Sequence, residues 1–523
     1  MNRLIQLEYQ YRLEEVCERF GFQLEIHEDG GRLPFAAFAR VRVNGRHLTA
    51  NRVRTLAFVS GLLCDDDGIW LDWNQSRRSP EALENGLLML FGVLSAQHPE
   101  AFLEKPRPGI QTPATDELPR SASYLERYYG DGFTAREKKP AVVDLALSQG
   151  AYLRSVDEDP LQIVDAASQI ASLAAGFRPD EVQCALDDGA FDPYLVAAPT
   201  QETAAGRPAF DALRDALLQV APPGLHHVAF TNGGSEANEK ALHIARIHGP
   251  GGRRVLAFSG SFHGRTLLSL YSTYNPSKRA PYQIPGFETT FLPMPWLEEP
   301  YADPVVPPGW REAWADPQGP REALKQGDGL LDAEVDALMA VEAAILEGDV
   351  LACIVEPYQC EGGDKTASRR WFHGLRALTR GHGVPLIFDE VQSGFGLSGK
   401  AFWHNRFRLL DAAGNPDGPD LVAGAKRAQV GYVISRWPDP SPTPAHAASA
   451  VRGRKHLELV LRRPGHEGRA RLRLRELMDK WGHIVSHPRA FGDAFAFDMP
   501  SAEAANHLIS QRFYRGYMVY IAG

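Results

Sequence analysis

From about Ser121 onward, short apolar runs alternate with longer stretches of helical spacing. His227 to Phe230, Val255 to Phe258, Ala352 to Val355, Leu386 to Phe388 and Leu421 to Ala423 are each too short for a helix and read as strands. Strands separated by helical stretches predict βαβ units, hence an α/β fold with a mostly parallel sheet covered on both faces. The first part of the chain has a different rhythm. Leu4 to Phe20 carries apolar residues at helical spacing, and a second helix is expected from Pro80 to Gln97. Phe22 to His27 and Phe35 to Val43 alternate like strands around an Asp29-Gly30-Gly31 turn. Residues 1–115 are therefore expected to form a separate α+β unit. Lys105 to Arg120 holds four prolines among polar residues and reads as a linker. Pro300 to Gly329, rich in proline, glycine and charge, reads as a surface excursion. Near the end, a basic amphipathic helix from Arg469 to Trp481 precedes an alternating stretch, Ala490 to Phe497, and a helix, Ser501 to Arg515. These predict a small α+β domain at 441–523 beside a large domain at 116–440. No internal repeat is visible.

Composition narrows the function without naming it. The chain has 523 residues, 44% hydrophobic and 23% charged, an ordinary globular balance. A net charge of -9 argues against nucleic acid as the main partner. The five cysteines, Cys17, Cys64, Cys184, Cys353 and Cys360, form no CxxC pair and read as reduced thiols. No apolar run approaches a membrane span, and the first residues lack the apolar region of a secretory signal. The expected location is the cytoplasm, with no membrane partner and no metal site.

Polar clusters follow the strands, where ligands bind in open α/β sheets. After Phe230 comes Thr231-Asn232-Gly233-Gly234-Ser235-Glu236, a turn in which Ser235 can cap a helix beginning at Glu236. Its free N–H groups suit a phosphate, although a plain capped turn looks the same. After Phe258 comes Ser261-Phe262-His263-Gly264-Arg265-Thr266. Phe262 could stack on a flat ring with Arg265 near a carboxylate, or could simply be a packed aromatic. Glu356 and Glu361 lie in a glycine-rich loop and could face a cleft or solvent. Asp389 leaves a buried strand, so it seeks a cationic partner or caps the next helix. Lys426 lies just past Ala423, where desolvation could make it an amine nucleophile rather than a solvated charge.

Taken in order, "GGSEANE", "SFHGRT", "VEPYQCEGGD", "FDEVQSGFG" and "PDLVAGAK" resemble the class III (ω-amino-acid) aminotransferases of fold type I. The resemblance runs from about Ser121 to the last residue. "NPSKRAPYQIPGFE", "AKRAQV" and "SQIAS" at Ser168 to Ser172 look closest to the 4-aminobutyrate and L-lysine 6-aminotransferase branch. Lys426 follows Asp389 by 426 − 389 = 37 positions, as such enzymes need. The resemblance implies pyridoxal 5′-phosphate (PLP) held covalently by Lys426, which also shuttles the proton. Asp389 would pair with the ring nitrogen, and Gln392 would bond near the ring hydroxyl. Gly234 and Ser235 would hold the phosphate, Phe262 would stack on the ring, and Glu356 would sit at its side. Arg265 matches an arginine that grips a substrate carboxylate, and Glu361 a glutamate that switches between substrates. Ile170 and Gln169 would line the substrate pocket. The implied reaction moves a terminal amino group to a 2-oxo acid such as 2-oxoglutarate, in a homodimer.

The sequence also departs from the pattern. Relatives carry a glycine-rich, threonine-containing segment that reaches the partner subunit's cofactor phosphate. Here Pro442-Thr443-Pro444-Ala445-His446-Ala447 is shorter, and Thr443 is its one candidate. Relatives also continue past the equivalent of Gly523 to a carboxylate-binding arginine that these 523 residues do not include. Residues 1–115 have no counterpart in the usual member. Two other readings therefore stand beside transamination: another class III activity (decarboxylase, epimerase or aminomutase) or a non-catalytic binding module.

Overall fold

The computed structural model describes residues 118–521 apart from 130–140, 159, 188–195, 198–206, 283–284, 298–303, 318, 320, 444, 463–466 and 512–515, together with four strands of the first 110 residues. The chain divides into two compact units, Met1–Ile110 and Gln111–Gly523. In the first unit, β1 (Phe22–Glu28), β2 (Ala37–Val43), β3 (Leu62–Asp65) and β4 (Gly68–Asp72) form an antiparallel sheet in the order β1-β2-β4-β3. The hairpin expected from the alternation before and after Asp29 is β1 with β2, Phe22 facing Val43. The helices expected at 4–20 and 80–97 lie outside the described residues.

In the second unit, β5 (Tyr152–Arg154) and β6 (Gln162–Asp165) form a hairpin, followed by a two-residue strand, β7 (Val196–Ala197). The central sheet comes next: β8 (His227–Thr231), β9 (Arg254–Phe258), β10 (Glu288–Leu292), β11 (Val350–Val355), β12 (Leu386–Asp389), β13 (Leu421–Gly424) and β14 (Gly431–Ser435). Its order is β10-β9-β11-β12-β13-β14-β8, and β14 runs against the other six. All five strands expected from the sequence are present. β11, β12 and β13 are buried along their whole length, so they read as continuous apolar runs rather than alternations.

Alternate residues of each strand serve opposite faces. Leu256, Phe258, Cys353, Val355, Leu386 and Phe388 pack one face, under helices Gly329–Leu346 and Arg369–Gly381. Val255, Ala257, Ala352, Ile354, Ile387 and Ala423 pack the other, against helix Gly234–His248. Six strands run the same way, so the connections that leave them all start at one edge of the sheet. That edge is where the polar clusters gather.

Most described residues of 304–329 lie at the surface, as the composition suggests, but the stretch is also anchored in the core. Its helix Trp310–Ala315 drives Trp310 and Trp314 into the core, at 1% and 0% exposure. Trp310 Nε1 donates to the Arg370 carbonyl at 2.8 Å. Two large rings outweigh the polar residues around them, because each buries far more apolar area than a small side chain.

After the central sheet, β15 (Ala445–His446) pairs with β7. β16 (Ser486–Phe491) and β17 (Ala494–Asp498) form a hairpin that turns at Gly492-Asp493, inside the alternating stretch expected at 490–497, between helices Glu467–Trp481 and Ala502–Gln511. β18 (Tyr517–Met518) then joins β6 in parallel. Among the described residues, no helix is long and apolar enough to cross a membrane.

Candidate active site

Asp389 is the last residue of β12 and is 3% exposed. A buried carboxylate needs donors, and three converge on it. Asn238 Nδ2 donates to Oδ2 at 2.7 Å, His263 Nδ1 lies 2.8 Å from the same oxygen, and the Val391 N–H donates to Oδ1 at 3.0 Å. Asn238 belongs to helix Gly234–His248, one turn in from its N-terminus, and also donates to the His263 carbonyl at 2.7 Å. The β8, β9 and β12 clusters are thus one network. Sequence patterning alone gives neither Asn238 nor His263 a role. The signal it does carry is their place inside "GGSEANE" and "SFHGRT".

Lys426 opens a 3₁₀ turn, Lys426–Ala428, two residues past β13. Burial pushes its ammonium below the ordinary lysine value, against the pull of Cys360, Glu361, Asp389 and Glu356. Its Nζ donates to the Ile170 carbonyl at 3.2 Å. A lysine biased toward the free amine is suited to nucleophilic attack on a carbonyl.

Glu356, directly after β11, is 3% exposed and accepts from the Phe262 N–H at 2.8 Å. Burial, and then the neighbouring charge of Asp389, hold its carboxyl well above the usual range. An acid with a raised folded pKa binds its proton more tightly when folded. Its contribution is therefore full below the unfolded value, 4.5, and is lost as pH rises toward the folded one. Glu356→Gln should thus gain stability relative to the parent as pH rises from 4.5 toward the raised folded value. Denaturant titration of the cofactor-free proteins at several pH values reads this directly. A constant difference would contradict a protonated Glu356.

The phosphate side differs in detail from expectation. The helix begins at Gly234, not Glu236, and its N-cap is Gly233, which caps with no side chain. Ser235 lies inside the first turn, and its Oγ accepts from the Arg265 N–H at 3.1 Å. The N-terminal N–H groups of a fifteen-residue helix are left for an anion. Gly234 is required by packing, since a Cβ there would lie 2.6 Å from Val391 Cγ1. Half-buried Phe262 has the Arg265 guanidinium 5.8 Å from its ring centre and the Lys278 ammonium at 5.6 Å. Arg265 itself is exposed, Gln392 is buried three residues beyond Asp389, and Glu361 is half-buried. Thr443 lies elsewhere: its Oγ1 donates to the Phe230 carbonyl of its own chain at 3.2 Å. Beside it, the buried Lys240 pairs with Asp439 at 3.3 Å. Segment 439–443 is thereby tied to the edge of its own sheet.

An anion-ready helix end, an amine of lowered basicity and a braced buried carboxylate are the donor set that PLP requires. The residues fit that group. Lys426 would hold its aldehyde carbon, Asp389 its ring nitrogen, and Gly234 and Ser235 its phosphate.

Comparison with known proteins agrees. Residues 133–440, more than half the chain, match the family described as aminotransferase class-III. A probable mitochondrial 4-aminobutyrate aminotransferase from Caenorhabditis elegans is 31% identical over 320 residues. That match covers 55% of this chain and only 60% of the worm protein's length. An L-lysine-epsilon aminotransferase from Mycobacterium tuberculosis is 29% identical over 422 residues, covering 73% of this chain and 85% of the relative. The crystallised lysine aminotransferase of M. tuberculosis superimposes with a TM-score of 0.60 at 25% identity, covering 78% of this chain and 92% of that one. PLP is the cofactor of such enzymes, and the fold is fold type I. The chain belongs to the class III aminotransferase family.

Proposed function

We propose that the protein transfers a terminal amino group from an ω-amino acid or diamine-type donor, such as 4-aminobutyrate or L-lysine, to a 2-oxo acid such as 2-oxoglutarate. The observation that carries this reading is the pairing of a buried, three-donor Asp389 with Lys426 at neighbouring strand ends. When bound, PLP supplies an aldehyde that takes up the amino group and a protonated ring that draws electrons from the reacting carbon. The chain's own residues do the rest. Asp389 holds a proton at the ring nitrogen, and its three donors fix the carboxylate so that it need not reorganise. Lys426 accepts a proton from the substrate carbon and returns it to the cofactor side. Its lowered basicity favours the free amine that this exchange needs. Burial and the charge of Asp389 bias Glu356 toward its neutral form, in which it can offer a hydrogen bond and adds less negative charge beside Asp389. Gln392 would serve the ring hydroxyl. Arg265 would receive a carboxylate and Glu361 would sort substrates by charge, beside the apolar Ile170. Thr443 would serve a phosphate only if it left Phe230. The working form we propose is a cytoplasmic homodimer.

A donor panel supplied with PLP and 2-oxoglutarate tests the reading. Glutamate should appear with one or more terminal amines, in step with aldehyde. Carbon dioxide release or racemisation without glutamate would point to another class III reaction. No product with any donor would favour a binding module.

A further inference from the structure

Lys426 has a φ of 34° and Gln429 a φ of 60°, and neither is glycine. In L-residues this conformation crowds Cβ against the following carbonyl. Such strain persists only where the surroundings over-determine it. The turn that carries both residues is closed by Ala428 N–H on the Ala425 carbonyl and Gln429 N–H on the Lys426 carbonyl, each at 2.8 Å. Those backbone bonds shape the turn but leave the long lysine side chain free to choose its direction.

The Gln429 side chain adds a second tie. Its Nε2 donates to the Lys426 carbonyl at 3.1 Å and also to the Ser172 carbonyl. An amide NH2 carries two hydrogens, so both bonds can be made at once. Ser172 ends another left-handed turn, in which Ser168, Gln169, Ile170 and Ala171 have φ values of 48°, 51°, 59° and 55°. Ser172 N–H closes that turn on the Ser168 carbonyl at 2.7 Å. Asp165 fastens it to β6 by accepting from the Ala167 and Gln169 N–H groups at 3.1 and 3.0 Å. Lys426 Nζ donates to the Ile170 carbonyl at 3.2 Å. One braced segment therefore holds the lysine at both ends, its carbonyl through Gln429 and its amine directly.

We propose that Gln429 is a positioning residue for Lys426. Its side-chain amide couples the lysine-bearing turn to segment 168–172 and so fixes where the amine stands while it is not bonded to the cofactor. This rests on the PLP reading for what the amine meets, but on no particular amino donor or acceptor. The step served is attack by Lys426 Nζ on the aldehyde carbon. A carbon–nitrogen bond forms, the nitrogen gives up two protons, and the aldehyde oxygen leaves with them as water. A displacement of about 1 Å in such a reacting group can cost on the order of 10²-fold in rate.

The test uses the full chain freed of PLP and two variants. Gln429→Gly deletes the bridge and relieves the left-handed backbone, which glycine adopts freely. Gln429→Glu keeps the side chain's shape but replaces the donating NH2 by an oxygen. Two readouts are taken: the thermal midpoint, and the first-order rate at which Lys426 bonds to saturating PLP, followed by absorbance. Saturation removes any change in affinity from that rate. Both variants should form the bond at least about tenfold more slowly than the parent, and Gln429→Gly should melt within about 3 °C of it. A rate in Gln429→Gly within about threefold of the parent overturns the positioning role. A slow rate joined to a midpoint lowered beyond that margin overturns it too, because Gln429 then serves stability alone. A parent that itself forms no bond overturns the Lys426 assignment and this role with it. No amino donor or 2-oxo acid is present, so failure of amino transfer is a separate result.

Discussion

Asp389→Asn should fold and still capture PLP, yet turn over at least about 10²-fold more slowly. An amide cannot hold a proton on the ring nitrogen as a carboxylate does. The loss falls on the chemical step, so kcat should drop while the KM for the amine stays within a few-fold. The variant also keeps the shape of its pocket, because Asn can still accept from Asn238 or from the Val391 N–H, which lie 2.7 and 3.0 Å from the carboxylate. The amide has one oxygen, so it keeps either the Val391 contact on one side or the Asn238 and His263 contacts on the other, and its NH2 faces the donors left over. Near-normal turnover, or wholesale loss of folding, would each contradict the role given to Asp389. Single-turnover absorbance changes and a melting curve distinguish the two.

Lys426→Ala should have the larger effect. Proton transfer by a positioned side chain is worth roughly 10²–10⁴-fold, and the covalent attachment is lost as well. The variant should retain PLP only as a dissociable ligand, lost on gel filtration. Added methylamine should not restore the bond to the protein. Stability should change little, since Lys426 is only half-buried and its side chain gives one hydrogen bond, to Ile170. Activity within about tenfold of the parent would show that another amine does the chemistry.

The sequence makes some parts of this site legible and hides others for physical reasons. β11, β12 and β13 stand out because strands buried on both faces are written as unbroken apolar runs. Asp389 and Lys426 stand out because a polar residue directly after such a run is placed at a sheet edge whatever the loops do. The braces of Asp389 are not legible. Asn238 and His263 reach it across 151 and 126 positions, and only the folded sheet order brings them together. The cap expected of Ser235 fails because Gly233 takes the N-cap position with its own backbone, freeing the serine hydroxyl for Arg265. The left-handed turn is invisible, since Ser168-Gln169-Ile170-Ala171 contains none of the residues that ordinarily mark that conformation. Trp310 and Trp314 show the same limit in the core, where two buried rings outweigh the polar composition around them.

The central claim is that Lys426 is the residue that binds PLP. The direct measurement is borohydride reduction of the PLP-loaded protein, followed by proteolysis and peptide mapping. The account predicts one pyridoxyl group per chain, on Lys426 in the peptide that contains Arg427 and Gln429. Label on a different lysine, or none after saturation with PLP, would contradict it.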